Sequence, residues 1–153
     1  PRLSRGVGAG AARWLTMHTY DDSRGALQAL RDGGYLIAAT TLNPTGDTVP
    51  LDSLKTDKRL CLVFGNEHAG VSPFILEEAD LQVQIPMVGF VESLNVSVAF
   101  AVAMYQLRRE LNAQSRDTWA LSEAEQVALL DRWVVSDIGR SEAILMEMAR
   151  RLA

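Results

Sequence analysis

The chain has 153 residues, 48% of them apolar and 22% charged, with a formal net charge of −4 and a single cysteine. That length supports a domain with a real core, and the composition excludes a disulfide framework and the run of ~20 apolar residues that a membrane helix needs. The acidic balance argues against a wholly basic nucleic-acid binder. Arg2, Arg5 and Arg13 near the start, and Arg108, Arg109 and Arg116 later, still allow two local basic surfaces.

The opening "PRLSRGVGAGAARW" lacks an initiator Met and is rich in Gly, Ala and Arg, which reads as the middle of a larger protein. No charged-then-apolar leader is visible. With one cysteine, a reduced cytoplasmic setting is expected, and Cys61, inside an apolar run, reads as a packing residue. "RWLTMHTY" (13–20) alternates in character and is expected to be a short strand. Asp21 and Asp22 offer N-caps for a helix over "SRGALQALRD", stopped by Gly33-Gly34. "YLIAATTL" (35–42) is a compact apolar strand, and "NPTGD" (43–47) is a turn. "RLCLVFG" (59–65) is a second buried strand. Ser72-Pro73 opens a helix over "FILEEA", and "LQVQIP" (81–86) is a strand with a Pro stop.

A long apolar helix is expected from about Ser93 to Glu110, with Ser93 as its N-cap. After Ala113, Ser122 and Glu125 stand at capping-box spacing. Leu121, Val127, Leu130 and Val134 are placed to pack back on the body, and "SEAILMEMARRL" makes a last amphipathic helix. The alternation of strands and helices, with strands apolar throughout, predicts an α/β doubly wound domain: a mostly parallel sheet with helices on both faces.

Two polar clusters interrupt this apolar framework. In "VFGNEHAGVS" a buried strand runs into Gly65, Asn66, Glu67, His68 and Gly70; in "IPMVGFVESLNVSVA" a strand stop and a Pro-Gly loop lead into Ser93, Asn95 and Ser97. Each alone reads as a solvated turn or a capped helix. Two such loops at neighbouring strand ends point to one pocket, since open parallel sheets bind ligands there. A phosphate loop, a dinucleotide fingerprint and a nucleophile elbow using Ser93 and His68 are absent. Two histidines without ligand spacing exclude a metal site of usual type.

These two stretches, at their separation, resemble the second and third motifs of the SPOUT methyltransferases, and most closely the TrmH-like tRNA (guanosine-2′-O-)-methyltransferases. Their pattern is G-x-E-x-x-G-[IV]-S, then I-P-M-x-G-x-x-x-S-L-N-V-S-[VT]-A. The resemblance extends upstream through "GAARWLTMHTYDD" and downstream into "LSEAEQVALLDRW", covering nearly the whole chain. It implies a deep C-terminal trefoil knot, with the Met87–Ser97 stretch threaded under the Gly65–Ser72 loop. The knotted methyltransferase domain would occupy residues 1–112 and a helical extension residues 113–153.

It also implies S-adenosyl-L-methionine as cofactor, held by Thr40, Leu62, Gly65, Ile85, Met87, Ser93 and Leu94. Glu67, Ser93 and Asn95 match the polar residues of the family's active centre. The reaction implied is methyl transfer to the ribose 2′-hydroxyl of a guanosine in tRNA, without a metal, by a homodimer formed through the Ser93–Glu110 helix. The family's first motif, an asparagine followed by an arginine, would lie upstream of "GAARW", and neither Arg5 nor Arg13 sits in it. His68 stands where many relatives carry Lys. Two other readings remain at this point: an enzyme acting on ribosomal RNA, and a noncatalytic knotted RNA-binding or scaffold protein.

Overall fold

The computed structural model describes residues 14–55, 57–66, 68–90 and 93–137, with 146 and 150. Arg2, Arg5, Arg13, the Gly6–Gly10 run, Glu67, Glu92 and most of the expected last helix lie outside the described residues. Two compact units emerge. One is Tyr20–Trp119; the other joins Trp14–Thr19 with the segment from Ala120 onward.

In the larger unit, α1 (Ser23–Asp32) starts as read: the Asp22 carboxylate accepts from the Gly25 N–H at 2.7 Å. Gly33-Gly34 ends it: Gly33 N–H donates to the Ala29 carbonyl and Gly34 N–H to the Arg31 carbonyl. The strands β1 (Tyr35–Thr40), β2 (Val49–Pro50), β3 (Arg59–Val63) and β4 (Leu81–Gln84) form a sheet in the order β2-β4-β1-β3. All three pairings are parallel, with Ala38 opposite Leu62 on one side and Leu81 on the other. Between β3 and β4 lies α2 (Pro73–Glu78), where the Ser72 hydroxyl caps Ile75 N–H and Pro73 takes the first turn.

The strand expected over 13–20 does not form. A strand needs a neighbour for its backbone groups, and none of the described strands pairs with 14–20; Trp14, Leu15, Met17 and Tyr20 are exposed. Sequence inspection also passed over β2, two residues long with Pro50 exposed at the sheet edge. An edge strand is where a residue without an N–H is tolerated.

Alternation along β1 divides the core. Ala38 joins Leu51, Leu54, Val83 and Ala103 in one buried cluster, against which Leu62, Phe64, Ile85 and Leu107 pack. Ile37 and Ala39 point the other way and are fully buried, and α1, anchored by buried Leu27, lies against β1 outside that cluster. Each large aliphatic side chain so buried stabilises the fold by about 2 kcal/mol. β1 pairs with β4 only from Ala38 onward, so the buried Ile37 N–H donates instead to Asp80 Oδ2 at 2.8 Å. Arg31 links α1 to the end of α2, donating to the Glu78 carbonyl at 2.6 Å and to its carboxylate at 2.9 Å.

The long helix α3 spans Val96–Ala113, so it starts later than expected and runs past the expected domain boundary. Ala103 is its buried anchor, while Val98, Phe100, Val102, Met104 and Tyr105 stay exposed. In the smaller unit, α4 (Glu123–Asp137) opens with the capping box as read: Glu125 N–H donates to Ser122 Oγ and Ser122 N–H to Glu125 Oε2. Leu121, Val127, Leu130 and Val134, expected to pack on the body, are exposed within this unit. Among the residues of α4 whose burial is described, Leu129 and Trp133 are half-buried. Trp133 meets Trp14 edge-on at 5.2 Å between centroids, so a different stripe of the helix carries the packing.

Candidate active site at the strand ends

The order β4-β1-β3 sets Ile85, Thr40 and Gly65 at the C-terminal ends of three adjacent parallel strands. Thr40 closes β1. Its hydroxyl donates to the Val63 carbonyl at 3.0 Å, tying the end of β1 to the end of β3. Leu62 lies opposite Ala38 and packs into the core, so its side chain is committed and its backbone is what it offers a ligand. One residue beyond β3, Phe64 meets Phe100 of α3 edge-to-face at 5.8 Å, which locks the strand end to the helix.

Gly65 then turns the chain into a closed loop. Asn66 N–H donates to the Gly70 carbonyl at 3.2 Å and Gly70 N–H to the Asn66 carbonyl at 2.9 Å. Inside the loop, Asn66 Oδ1 accepts from both His68 N–H at 3.0 Å and Ala69 N–H at 2.7 Å. The backbone of Gly70 and Val71 lies so close to Gly65 that a Cβ built there would overlap it. Gly70 takes φ +65°, a left-handed conformation that glycine adopts without strain. The His68 side chain is exposed, and no group of potential metal ligands occurs among the described residues.

After β4, Ile85 and Met87 are half-buried, whereas Val88 and Phe90 are fully exposed. Ser93 is exposed and Leu94 half-buried. The N-cap of α3 is Asn95, not Ser93: Asn95 Oδ1 accepts from Ser97 N–H at 2.9 Å, and its carbonyl accepts from Ala99 N–H. Asn95 has an extended ψ of 140°, so the first helical residue is Val96 and a cap at Ser93 would come too early. The capping oxygen is therefore occupied, but the Asn95 side-chain NH₂ remains without a protein acceptor among the described residues.

The structure thus gathers Thr40, Leu62, Gly65 and Ile85 on neighbouring strands, with Met87, Ser93, Leu94 and Asn95 on the segment that follows β4. No hydrogen bond or ion pair joins Ser93 or Asn95 to the Asn66–Gly70 loop among the described residues. Sequence inspection missed Asn66 as the brace of that loop. Its signal is an Asx-turn pattern, an asparagine two and three residues before the N–H groups it caps. It also missed the Phe64–Phe100 contact, which no local pattern announces. Cys61, half-buried in β3, has its thiol pushed above its ordinary range by desolvation, which suits a packing role.

The SpoU rRNA Methylase family model matches residues 2–105. The chain belongs to this family. Within it, the chain is 39% identical to a tRNA (guanosine(18)-2′-O)-methyltransferase of Borreliella burgdorferi, over 81% of this chain and 56% of the relative. Among solved structures, the A. aeolicus TrmH/SpoU tRNA modifying enzyme superposes with a TM-score of 0.76 at 32% identity. That match covers 91% of this SpoU-family chain and 70% of the other. An S-adenosylmethionine-bound rRNA methyltransferase from Sinorhizobium meliloti matches with a TM-score of 0.52 at 28% identity, over 58% of this chain and 33% of its own. The chain spans 56–64% of the length of the first curated relatives it matches.

Proposed function

We propose that this SpoU-family chain is the cofactor-binding part of an enzyme that moves a methyl group from S-adenosylmethionine to the ribose 2′-hydroxyl of a guanosine in tRNA. The observation that carries this is the convergence of Thr40, Gly65 and Ile85 at the ends of adjacent parallel strands, where open sheets bind ligands. The donor set fits an adenosyl group: half-buried apolar side chains at Ile85, Met87 and Leu94, a hydroxyl at Thr40, and strand-end backbone groups, that of Leu62 among them. When bound, the sulfonium supplies an already activated methyl, so no metal is required.

The chain's own residues then have to hold the acceptor hydroxyl in line and ease its proton away. Asn95, fixed at the helix start through its oxygen, presents an NH₂ that can orient an oxygen of the acceptor. Ser93, exposed two residues earlier, and Glu67 are the further polar members proposed for the centre. Residues 87–97 are proposed to pass beneath the Gly65–Ser72 loop as a knot. In support, the loop is closed by the Asn66–Gly70 pair and backed tightly on Gly65. The knotted domain would end around residue 112, with residues 113–153 as the helical extension.

A homodimer through α3 is supported by the apolar face that a single chain leaves exposed at Val98, Val102 and Tyr105. A cytoplasmic setting would place it with its RNA; no helix among the described residues is long and apolar enough to cross a membrane. The ribosomal RNA reading is weaker. The tRNA-modifying structure matches 91% of the chain, a share too large to stop at Ala113, against 58% for the rRNA enzyme.

The test is a methylation assay with labelled S-adenosylmethionine and, in parallel, an unmodified tRNA transcript and unmodified ribosomal RNA, followed by nucleoside mapping. The chain is run beside a form extended at its N-terminus by the family's Asn–Arg motif. 2′-O-methylguanosine in tRNA supports the proposal, and its appearance in the extended form alone assigns cofactor binding to this chain. Label in ribosomal RNA alone favours the second reading. No label in either RNA, from either form, favours a noncatalytic RNA-binding scaffold.

A further inference from the structure

Arg108, near the C-terminal end of α3, lays its guanidinium over the ring of Trp119, 4.5 Å from the centroid. Trp119 is itself held in place. It is half-buried and its backbone N–H donates to the Arg116 carbonyl at 3.3 Å, while its indole Nε1 is buried without a hydrogen-bond partner. That bond closes the 3₁₀ turn Arg116–Thr118, so Arg116 belongs to the same turn that positions the ring.

Stacking uses the face of a guanidinium and leaves its in-plane N–H donors free, and it lowers the rotamer entropy lost when those donors later bind something. Arg31 shows the contrast, with its donors spent on the Glu78 carbonyl and carboxylate. Arg108 and Arg116 form no ion pair among the described residues. Arg108 on the helix and Arg116 in the turn that holds its platform thus keep their donors available to an external anion.

We infer that Arg108 and Arg116, with Trp119 as the platform, form a phosphate-binding site for the sugar–phosphate backbone of the substrate RNA. The inference rests on the reading of the chain as part of an RNA methyltransferase. α3 is continuous between its cap and this site, and its rise of about 1.5 Å per residue puts Arg108 about 20 Å from Asn95. The site therefore grips backbone remote from the reacting ribose. Such a contact fixes register without reading sequence. It strengthens binding of substrate and transition state alike, which shows in KM rather than kcat.

The experiment measures the affinity of the chain for an unmodified tRNA transcript across a salt series, with S-adenosylhomocysteine calorimetry on every variant. Arg108→Gln/Arg116→Gln is expected to weaken tRNA binding about tenfold and to reduce the log–log salt slope by about 1 to 2. Arg24→Gln, whose guanidinium also stacks on an aromatic ring, that of Phe74, is expected to leave the slope unchanged. Trp119→Leu keeps the charges but removes the platform; it should weaken binding severalfold at constant slope. Melting curves confirm that the double variant is folded.

An unchanged slope in the double variant overturns the inference, as does an equal loss in Arg24→Gln. Failure of the unaltered chain to bind tRNA while it binds S-adenosylhomocysteine overturns it as well. Arginine-dependent tRNA binding without S-adenosylhomocysteine binding would sink the cofactor proposal and leave this site standing.

Discussion

Gly65→Ala isolates the close backbone approach at the strand end. A Cβ at position 65 would overlap the Gly70 carbonyl group and the Val71 nitrogen, which are backbone atoms that cannot rotate aside. The loop has to lift. Lifting breaks the two Asn66–Gly70 backbone bonds and loosens the two N–H groups held by Asn66 Oδ1. Two bonds broken and two loosened, at a net loss of about 1 kcal/mol per full bond, cost about 3 kcal/mol, the upper end of the overpacking range of about 1–3 kcal/mol. For a chain of this size that corresponds to a Tm lower by about 10 °C.

Gly70→Ala is the matched control. A Cβ there meets open space, so only the left-handed φ of +65° is penalised, at about 1–2 kcal/mol. The assay is thermal unfolding by circular dichroism, with S-adenosylhomocysteine affinity measured in parallel. Gly65→Ala should melt lower than Gly70→Ala and lose more ligand affinity. Equal melting temperatures, or a Gly65→Ala protein that melts like the unaltered chain, would refute the role given to the close approach.

Asn95→Asp keeps a good N-cap but removes the NH₂, so it should leave Tm within about 2 °C while abolishing most methyl transfer in the N-terminally extended form. Asn95→Ala loses both functions and costs about 1 kcal/mol in addition; wild-type turnover in the Asp variant would assign Asn95 to capping alone. Glu78→Gln weakens an ion pair whose side chains are 39% and 40% exposed, so unfolding should shift by no more than about 0.5–1 kcal/mol, and less in high salt. Val98→Lys with Tyr105→Lys, both at exposed positions of α3, should shift sedimentation from dimer to monomer without unfolding the chain. Since burial raises the Cys61 thiol, the folded state holds its proton more tightly than the unfolded state. Stability is therefore complete below the ordinary thiol range and declines as pH climbs through and above it. Iodoacetamide labelling of the native chain should accordingly lag a denatured sample at pH 8.

What was legible in the sequence is what is local. Asp22 before α1, Ser72-Pro73 before α2, and Ser122 with Glu125 before α4 each satisfy backbone donors within a few residues, and each was read correctly. The apolar strands β1, β3 and β4 were legible as well, but the sheet's margin, which only distant partners define, was not. Residues 14–20 alternate like a strand but have no strand to pair with among the described residues, and β2 exists only because β4 lies beside it.

The site divides in the same way. The placement of both polar loops at strand ends follows from Gly and Pro punctuation. The two-residue shift of the α3 cap from Ser93 to Asn95 could not be read, because Ser93, Asn95 and Ser97 are all competent caps by residue type. The structure replaces Ser93 by Asn95 as the cap, which gives Asn95 a structural duty that its proposed chemical role has to coexist with.

The central claim is that the ends of β1, β3 and β4 form an S-adenosylmethionine site. Isothermal titration of the chain with S-adenosylhomocysteine tests it most directly, with Thr40→Val as companion, since the Thr40 hydroxyl ties the β1 and β3 ends together. The account predicts saturable binding to the unaltered chain, weakened about tenfold in the variant. A chain with a cooperative melt and no heat of binding would contradict it.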